Sequence, residues 1–356
     1  MNARAAAATY RLQVNAAFTL EDAARLVPFL HALGITDAYV SPVLEAQQGS
    51  THGYDVTDPA AVRTAIGGES ALEAFARRLR QSAMGLLLDI VPNHMAATPG
   101  NPWWTDLLEY GADSPFAGWF DLSWISSQEQ TTLDLPILGA DLTELLEKGH
   151  ILLAADDAGL ALRYLEHRIP LSPATYPAAL GVHRPNGGAR RGGEEVPALA
   201  REALRALDEL PAPALIAEPG DPTRRERARH ARDRFLQLCR DTPALREWVE
   251  TRIRHAAELP RDQQRQRLEE LLGLQPYRLR SWRTATREIT YRRFFDITHL
   301  VGVRVEQPDV FEATHALFRD WIHAGLVTGL RIDHIDGLYD PDAYLHRLRG
   351  IGHVYT

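Results

Sequence analysis

The chain repeats one order of hydrophobic patterns three times. A run with apolar residues at helical spacing ends near a glycine, and a short, almost continuously apolar stretch follows it, then polar residues. The first pattern is typical of an amphipathic helix and the second of a buried strand. The helical runs are residues 21–33, 72–84 and 311–322, and the strand-like stretches after them are 36–40, 86–90 and 329–333.

Strands that alternate with helices are expected to be parallel and joined by right-handed crossovers. Polar residues directly after the strands predict a functional face at the carboxyl ends of the sheet. We therefore predict an α/β fold of the (β/α)8 TIM-barrel type, of which this chain supplies only the N-terminal half. The predicted strands are 10–14, 36–40, 86–90 and 329–333, and residues 353–356 open a fifth.

More than 200 residues separate the third and fourth predicted strands, far more than a connection between a strand and a helix normally holds. We predict a large inserted subdomain at 92–300, between a first barrel part at 1–91 and its continuation at 301–356. Its first part is Trp-rich and irregular, and residues 195–274 are helical in pattern. Its aromatic residues either form a stacking platform for sugar rings or pack the core of the insertion. They include Trp103, Trp104, Trp119 and Trp124.

Composition excludes several classes of partner. The net charge of −8 argues against a nucleic-acid partner, which requires a surplus of Lys and Arg at the contact surface. No stretch approaches the roughly 20 apolar residues that cross a bilayer, so we expect no membrane span. Cys239 is the only cysteine, so no disulfide framework can form within the chain, and we expect a cytoplasmic protein.

The fourth predicted strand carries a candidate for covalent catalysis. Arg331 and Asp333 lie two positions apart, so both side chains point to the same side, here the barrel interior. A guanidinium beside a carboxylate is expected to lower the pKa of that carboxyl and keep it ionised, which suits a nucleophile. The same pair would equally fit a structural ion pair at a strand end.

Two further polar clusters favour the catalytic interpretation. One lies at the end of the third strand and consists of Asp89, Asn93 and His94, and the other follows the second strand and consists of His52, Tyr54 and Asp55. Imidazole and carboxylate groups bind sugar hydroxyls, and an aromatic face stacks on the C–H surface of a sugar. A lone histidine or tyrosine would more often be packing, but three such clusters after predicted strands indicate a carbohydrate site.

Residues 89–94 (DIVPNH) and 329–333 (GLRID) resemble the first two signature regions of the α-amylase superfamily. The resemblance implies a retaining enzyme on a (β/α)8 barrel, with Asp333 as the nucleophile and Arg331 supporting it. It also implies a substrate-binding set around the −1 sugar. The residues that match this set are His52, Tyr54, Asp89 and His94. The whole predicted substrate-binding set also includes Asp55, Asn93, Arg331 and His334.

Four longer motifs are similar to the maltooligosyltrehalose synthase family. They are residues 49–56 (GSTHGYDV), 101–104 (NPWW), 291–296 (YRRFFD) and 331–338 (RIDHIDGL). This resemblance implies intramolecular transglycosylation, in which the reducing-end α-1,4 linkage of a maltooligosaccharide becomes an α,α-1,1 linkage, with no cofactor and no metal. The sequence departs from the family patterns at two sites: Asp336-Gly337 stands where many ordinary amylases carry Lys-His, and Thr290 stands where the synthases carry asparagine.

The resemblance leaves other roles and functions open. Phe294 and Phe295 either line the substrate channel or dock the insertion on the barrel, and Glu306 receives no catalytic role. The superfamily's general acid, a glutamate after strand five, would lie beyond Thr356. We therefore expect a truncated chain whose missing C-terminal half is its partner. The alternatives are another α-glucan hydrolase of the superfamily, or a non-catalytic glucan-binding half-barrel.

Overall fold

The computed structural model describes residues 5–122, 132–182, 196–212, 220–284, 289–352 and 355–356. Its residues form two compact units. The first comprises Met1–Pro102, Trp119–Asp121 and Arg293–Thr356, and the second comprises Trp103–Gly118 and Leu122–Arg292. No helix in the described ranges is long and apolar enough to cross a membrane.

The strands and helices are numbered in chain order. The strands are β1 (Thr9–Leu12), β2 (Asp37–Val40), β3 (Leu44–Ala46), β4 (Val56–Val62), β5 (Gly85–Ile90), β6 (His94–Ala96), β7 (Leu133–Leu138), β8 (Leu152–Asp156), β9 (Gly159–Tyr164), β10 (His167–Pro170), β11 (Tyr277–Ser281), β12 (Arg293–Phe294), β13 (Ile297–Gly302) and β14 (Gly329–Ile332). The helices are α1 (Leu20–Ala32), α2 (Gly68–Gln81), α3 (Pro102–Tyr110), α4 (Leu142–Glu147), α5 (Tyr176–Ala179), α6 (Ala198–Asp208), α7 (Pro222–Asp241), α8 (Pro243–Glu258), α9 (Arg261–Leu272), α10 (Pro308–His323) and α11 (Pro341–Ile351).

A four-stranded parallel sheet in the order β1-β2-β5-β14 is the centre of the first unit. This confirms the predicted α/β fold with the N-terminal strands of a barrel, and the described residues form an open sheet rather than a closed barrel. Residues 353–354 of the predicted fifth strand lie outside the described ranges. Tyr355 forms a parallel bridge to Gly329, as expected where a fifth strand begins beside β14.

Side chains pack in layers inside this sheet. The register pairs Tyr39 with Leu87 and Leu87 with Gly329, so these three positions share one layer. A Cβ at Gly329 would lie 2.9 Å from Leu87 Cγ, which explains the glycine there. The next layer toward the carboxyl ends pairs Asp89 with Arg331. The apolar layer therefore supports a charged layer above it.

Helices α1 and α2 cover the outer face of the sheet. Thr19 begins α1 with a capping box, in which its hydroxyl accepts from the Asp22 backbone and the Asp22 carboxylate accepts from the Thr19 backbone. All six residues of β5 are buried, as expected for a strand covered on both faces. Phe75 and Leu79 of α2 are fully buried, and burial of each such side chain contributes about 1.5 to 3 kcal/mol.

Short antiparallel sheets place further segments of the first unit. Strands β12, β13 and β6 form one such sheet, in which Gly302 pairs with His94. Strands β3 and β4 form another. Strands β6 and β12 and most of β13 fall within residues 92–300, which the sequence assigned to the insertion, whereas the structure pairs these strands with one another in the first unit.

The second unit consists of two small sheets and a helical region. Strands β7 and β11 pair in parallel, and β8, β9 and β10 form an antiparallel sheet. Helices α6 to α9 occupy the stretch from Ala198 to Leu272. Burial raises the pKa of Cys239 on α7 to about 11, so its sulfur remains a thiol at neutral pH.

Two of the four tryptophans in question have packing partners in the second unit. Trp104 is buried, and its ring meets that of Tyr291 edge to face. Trp103 stacks on Phe116 at 5.5 Å between ring centroids. These contacts support the packing role for both. Trp124 lies outside the described residues.

Candidate functional site

Asp89 is the most enclosed acid of the site, with 1% of its surface exposed. Its Oδ2 accepts hydrogen bonds from the hydroxyls of Tyr39 (2.7 Å) and Tyr54 (2.6 Å). Burial raises the pKa of both phenols, and the hydrogen bonds to Asp89 raise it further, so both remain neutral donors. The carboxylate is therefore fixed in position by two hydroxyls before any ligand binds.

Arg331 joins Asp89 to Asp333. Its Nη1 lies 3.0 Å from Asp89 Oδ1, 3.2 Å from Asp89 Oδ2 and 2.6 Å from Asp333 Oδ1. Burial alone would lower the pKa of this guanidinium, but its hydrogen bonds and charge interactions with the two carboxylates raise it above the usual value. One cation is thus shared by two nearly buried carboxylates on adjacent parallel strands.

The expectation that Arg331 holds the pKa of Asp333 below its usual range is wrong. Burial raises the pKa of Asp333, and the hydrogen bond and charge of Arg331 offset only part of that rise. The physical reason is desolvation, which disfavours the charged form of a carboxyl taken out of water. Arg331 therefore limits the rise rather than reversing it.

The loop between β3 and β4 positions the Tyr54 hydroxyl for its hydrogen bond to Asp89. Arg63 is buried beneath this loop and donates through Nη2 to the carbonyls of Val14 (2.8 Å) and Pro42 (3.1 Å). The Ser50 hydroxyl donates to Asp55 Oδ1 at 2.5 Å and accepts from the Gly53 backbone at 3.0 Å. These bonds fix the backbone on either side of Tyr54.

Gly53 gives a direct test of that loop. Its φ of +83° is strained for any side chain, and an added Cβ would lie 2.5 Å from the Pro42 carbonyl oxygen. We expect Gly53→Ala to shift the loop and lower the free energy of unfolding by about 1 to 3 kcal/mol, measured by urea denaturation of the chain.

Gly49→Ala is the matched control. Gly49 has a similar φ of +81°, but a Cβ there meets nothing within 4 Å. It therefore reports the backbone strain without the clash. If the two variants are equally destabilised, close packing against Pro42 does not constrain the loop.

His52 and Asp55 lie beside Tyr54 in the same loop. The His52 ring stacks on that of Tyr54 at 5.8 Å, and its Nδ1 accepts from the Tyr54 backbone at 3.1 Å. Nearly half of the His52 side chain is exposed, whereas Asp55 is held by Ser50. His52 is therefore available to a ligand, and Asp55 stabilises the loop.

His94 and His334 meet at Phe294. The His94 ring is fully buried and stacks on Phe294, with 3.9 Å between centroids. His334 lies edge-on to Phe294 at 4.8 Å. Asn93, which precedes His94, contacts Gly337, where an added Cβ would lie 3.1 Å from the Asn93 amide. The structure thus brings Asn93, His94 and His334 around the segment that follows Asp333.

Sequence reasoning missed Tyr39 and Arg11. Arg11 donates to the Tyr54 hydroxyl at 3.3 Å, and its guanidinium lies 5.7 Å from the centroid of the Tyr39 ring. Arg11 lies on β1 and Tyr39 on β2, and the two positions pair with each other in register. The available signal was this strand position, since Arg11 and Tyr39 are each the second-to-last residue of their strand, as Asp89 is of β5, and point to the same side of the sheet. Glu306 pairs with Arg304 at 3.0 Å, which supports leaving it without a catalytic role.

Comparisons with known proteins concern the whole chain and its parts. Residues 20–137 match the family model described as alpha amylase, catalytic domain. A putative maltooligosyl trehalose synthase of Mycobacterium tuberculosis (strain CDC 1551 / Oshkosh) is 32% identical over 350 residues, which are 96% of this chain and 32% of that protein. Alpha-amylase 1 of Lipomyces kononenkoae is 31% identical over 129 residues, which are 34% of this chain and 20% of that protein.

Solved structures of maltooligosyltrehalose synthases are also similar to this chain. The maltooligosyltrehalose synthase of Arthrobacter ramosus superposes with a TM-score of 0.65 at 34% identity, covering 97% of this chain and 33% of that one. A second maltooligosyl trehalose synthase crystal structure gives a TM-score of 0.66 at 28% identity, with 98% and 34% covered. The chain spans about a third of the length of these relatives.

Proposed function

We propose that this chain supplies the nucleophile-bearing part of a maltooligosyl trehalose synthase, because nearly its whole length is similar to about a third of such proteins. The reaction is the conversion of the reducing-end α-1,4 linkage of a maltooligosaccharide to an α,α-1,1 linkage. The observation that carries the proposal is the Arg331 Nη1 held between Asp89 and Asp333 at the carboxyl ends of neighbouring parallel strands. Active sites of barrel enzymes lie at that end of the sheet.

Asp333 is the proposed nucleophile. Its carboxylate attacks C1 of the penultimate glucose and forms a covalent glycosyl ester, and the anomeric hydroxyl of the released glucose then attacks that C1. The Arg331 guanidinium stabilises the charge on Asp333 before the attack and again when the ester breaks. Arg331 also contacts Asp89 on β5, the strand beside β14 in the sheet. The position of the proposed nucleophile therefore depends on β5 as well.

The remaining predicted residues bind the −1 sugar in this proposal. Asp89 and Tyr54 present oxygens fixed by their mutual hydrogen bond, so little conformational entropy is lost when a sugar hydroxyl binds. The imidazole of His94 also has a fixed orientation, because it stacks on the ring of Phe294. The full proposed set is His52, Tyr54, Asp55, Asp89, Asn93, His94, Arg331 and His334.

Asp89 does not fit the role of general acid. Its two oxygens accept hydrogen bonds from Tyr39, Tyr54 and Arg331, so this carboxyl group is already occupied by donors of the protein. Retaining transfer needs a protonated carboxyl about 5 to 5.5 Å from the nucleophile. We therefore propose that the acid is supplied from outside this sequence, by a part of the enzyme that corresponds to the other two thirds of the relatives.

The proposal names one substrate, one macromolecular partner and one cellular compartment. Maltooligosaccharide is the proposed substrate, and the rest of the enzyme is the proposed macromolecular partner. The net charge of −8 offers no general attraction to nucleic acid. We place the reaction in the cytoplasm, because a chain with one cysteine forms no internal disulfide.

Product analysis tests the proposed function. The full-length enzyme that carries this sequence is incubated with maltopentaose, and reducing ends, free glucose and trehalose linkages are measured. We expect reducing ends to disappear without an equal release of glucose. An increase in reducing ends would instead identify an α-glucan hydrolase of the same superfamily.

The purified 356-residue chain is the control in this assay. It offers a nucleophile but no suitable acid, and acid assistance is worth roughly 10² to 10⁴-fold. We expect no detectable conversion, and turnover by this chain alone would show that an acid lies within the sequence.

A further inference from the structure

Two aromatic side chains lie beside the segment that carries Asp333. Strands β12 and β13 form a hairpin whose turn contains Phe295 and Asp296. The Phe295 ring lies edge-on to Phe294 at 4.5 Å and to His334 at 5.2 Å, and His334 directly follows Asp333. Although it makes these contacts, Phe295 is 69% exposed. A large apolar surface is therefore exposed beside His334, the residue that follows the proposed nucleophile.

The backbone of this contact is strained on both sides. Phe295 has a φ of +49° and His334 a φ of +45°, and only four non-glycine residues in the described ranges have a positive φ. Such conformations cost about 1 to 3 kcal/mol and concentrate at functional sites, where surrounding structure maintains them. Here two of the four touch each other beside Asp333, which argues that this ring position is maintained for a purpose other than stability.

We propose that Phe295 controls what the glycosyl-enzyme reacts with. Its exposed ring provides an apolar surface for the C–H face of the released glucose, and it reduces access of water to the ester on Asp333. The proposal rests on the proposed function and names a specificity-determining residue for that reaction. His334 and Phe294 support the ring from two directions, and Phe294 is itself fixed by the stack with His94.

The glycosyl ester on Asp333 can react with glucose or with water, and the two reactions differ only in which hydroxyl attacks C1. In each, the bond between C1 and the Asp333 oxygen breaks and a bond from C1 to the attacking oxygen forms. The proton of that hydroxyl passes to the carboxylate left when the general acid has acted. Attack by glucose yields the trehalose linkage, and attack by water yields a shortened maltooligosaccharide. A surface that binds glucose and displaces water shifts this ratio without changing the first step.

Phe295→Asn in the full-length enzyme tests the inference. Asparagine tolerates a positive φ, so the variant removes the ring while keeping the turn conformation. Maltopentaose and isotope-labelled glucose are supplied in water enriched in ¹⁸O, and the ratio of transfer to glucose over transfer to water is measured. We expect the ratio to fall by at least about threefold, comparable to the loss of one aromatic contact.

Two further variants isolate the ring. Phe295→Tyr keeps the aromatic surface, and we expect it to keep the wild-type ratio. Asp296→Ala alters the same turn at a side chain that is almost fully exposed, and it should leave the ratio unchanged. Thermal unfolding shows whether each variant folds.

The inference and the proposed function fail separately. An unchanged ratio in folded Phe295→Asn would overturn the role of Phe295, whatever happens to total turnover. Absence of a trehalose linkage from the wild-type products would overturn the proposed function. The ratio would still decide the inference in that case, because retaining enzymes transfer to both glucose and water.

Discussion

Replacing Asp333 with asparagine should abolish turnover of the full-length enzyme while leaving the protein folded. The substitution keeps the size of the side chain but removes the proposed oxygen nucleophile, and loss of a covalent nucleophile costs several powers of ten in kcat. We expect less than about a hundredth of the wild-type rate with maltopentaose. A rate above that limit would show that another group forms the covalent bond.

Stability provides a second readout for Asp333→Asn. Burial raises the pKa of Asp333, so the folded state binds this proton more tightly than the unfolded chain does. The stabilising contribution is fully present below the unfolded pKa and is lost as the pH rises through the folded pKa. At neutral pH the charged form therefore lowers stability, and we expect the asparagine variant to have an equal or higher melting temperature.

Asp336→Asn is the matched control for both readouts. Asp336 lies three residues after Asp333, and 87% of its side chain is exposed. The change is chemically identical but occurs in water. We expect activity and melting temperature close to those of the wild type, so a large loss in this variant would mean that the segment, rather than the nucleophile, is sensitive.

Replacing Arg331 with alanine should shift the pH dependence of the full-length enzyme as well as its rate. Arg331 lowers the pKa of Asp333 and so offsets part of the effect of burial. Without the guanidinium the pKa of Asp333 rises further, and a larger fraction of the nucleophile is protonated at any acidic pH. We expect kcat/KM to fall by about 10² or more and its acidic limb to move to higher pH.

Arg331→Lys separates charge from shape. It keeps a cation near Asp89 and Asp333 but replaces the planar guanidinium with a compact ammonium. We expect its acidic limb to stay near that of the wild type while the rate drops, because the charge remains and the geometry changes. If alanine and lysine shift the acidic limb equally, or if neither shifts it, Arg331 does not set the ionisation of Asp333.

Local patterns in the sequence were sufficient to predict the strands of the parallel sheet and to locate the acidic residues at their ends. Buried parallel strands need continuous apolar runs, and the polar residues that follow such runs must lie at the carboxyl edge of the sheet. This is why Asp89, Arg331 and Asp333 could be found from spacing alone. The order of strands in the sheet then determined their contact, since Arg331 and Asp89 are 242 residues apart in the chain.

The sequence by itself determined the parallel α/β architecture and the principal charged residues, because both follow from periodicity of two and 3.6 residues. Only the tertiary structure decided that Tyr39 and Arg11 belong to the site, that Phe294 stacks on His94, and that the pKa of Asp333 is raised. The physical reason is that these properties depend on burial and on neighbours from distant segments. Water removed around Asp333 outweighs the adjacent arginine, and no local pattern reports how much water that is.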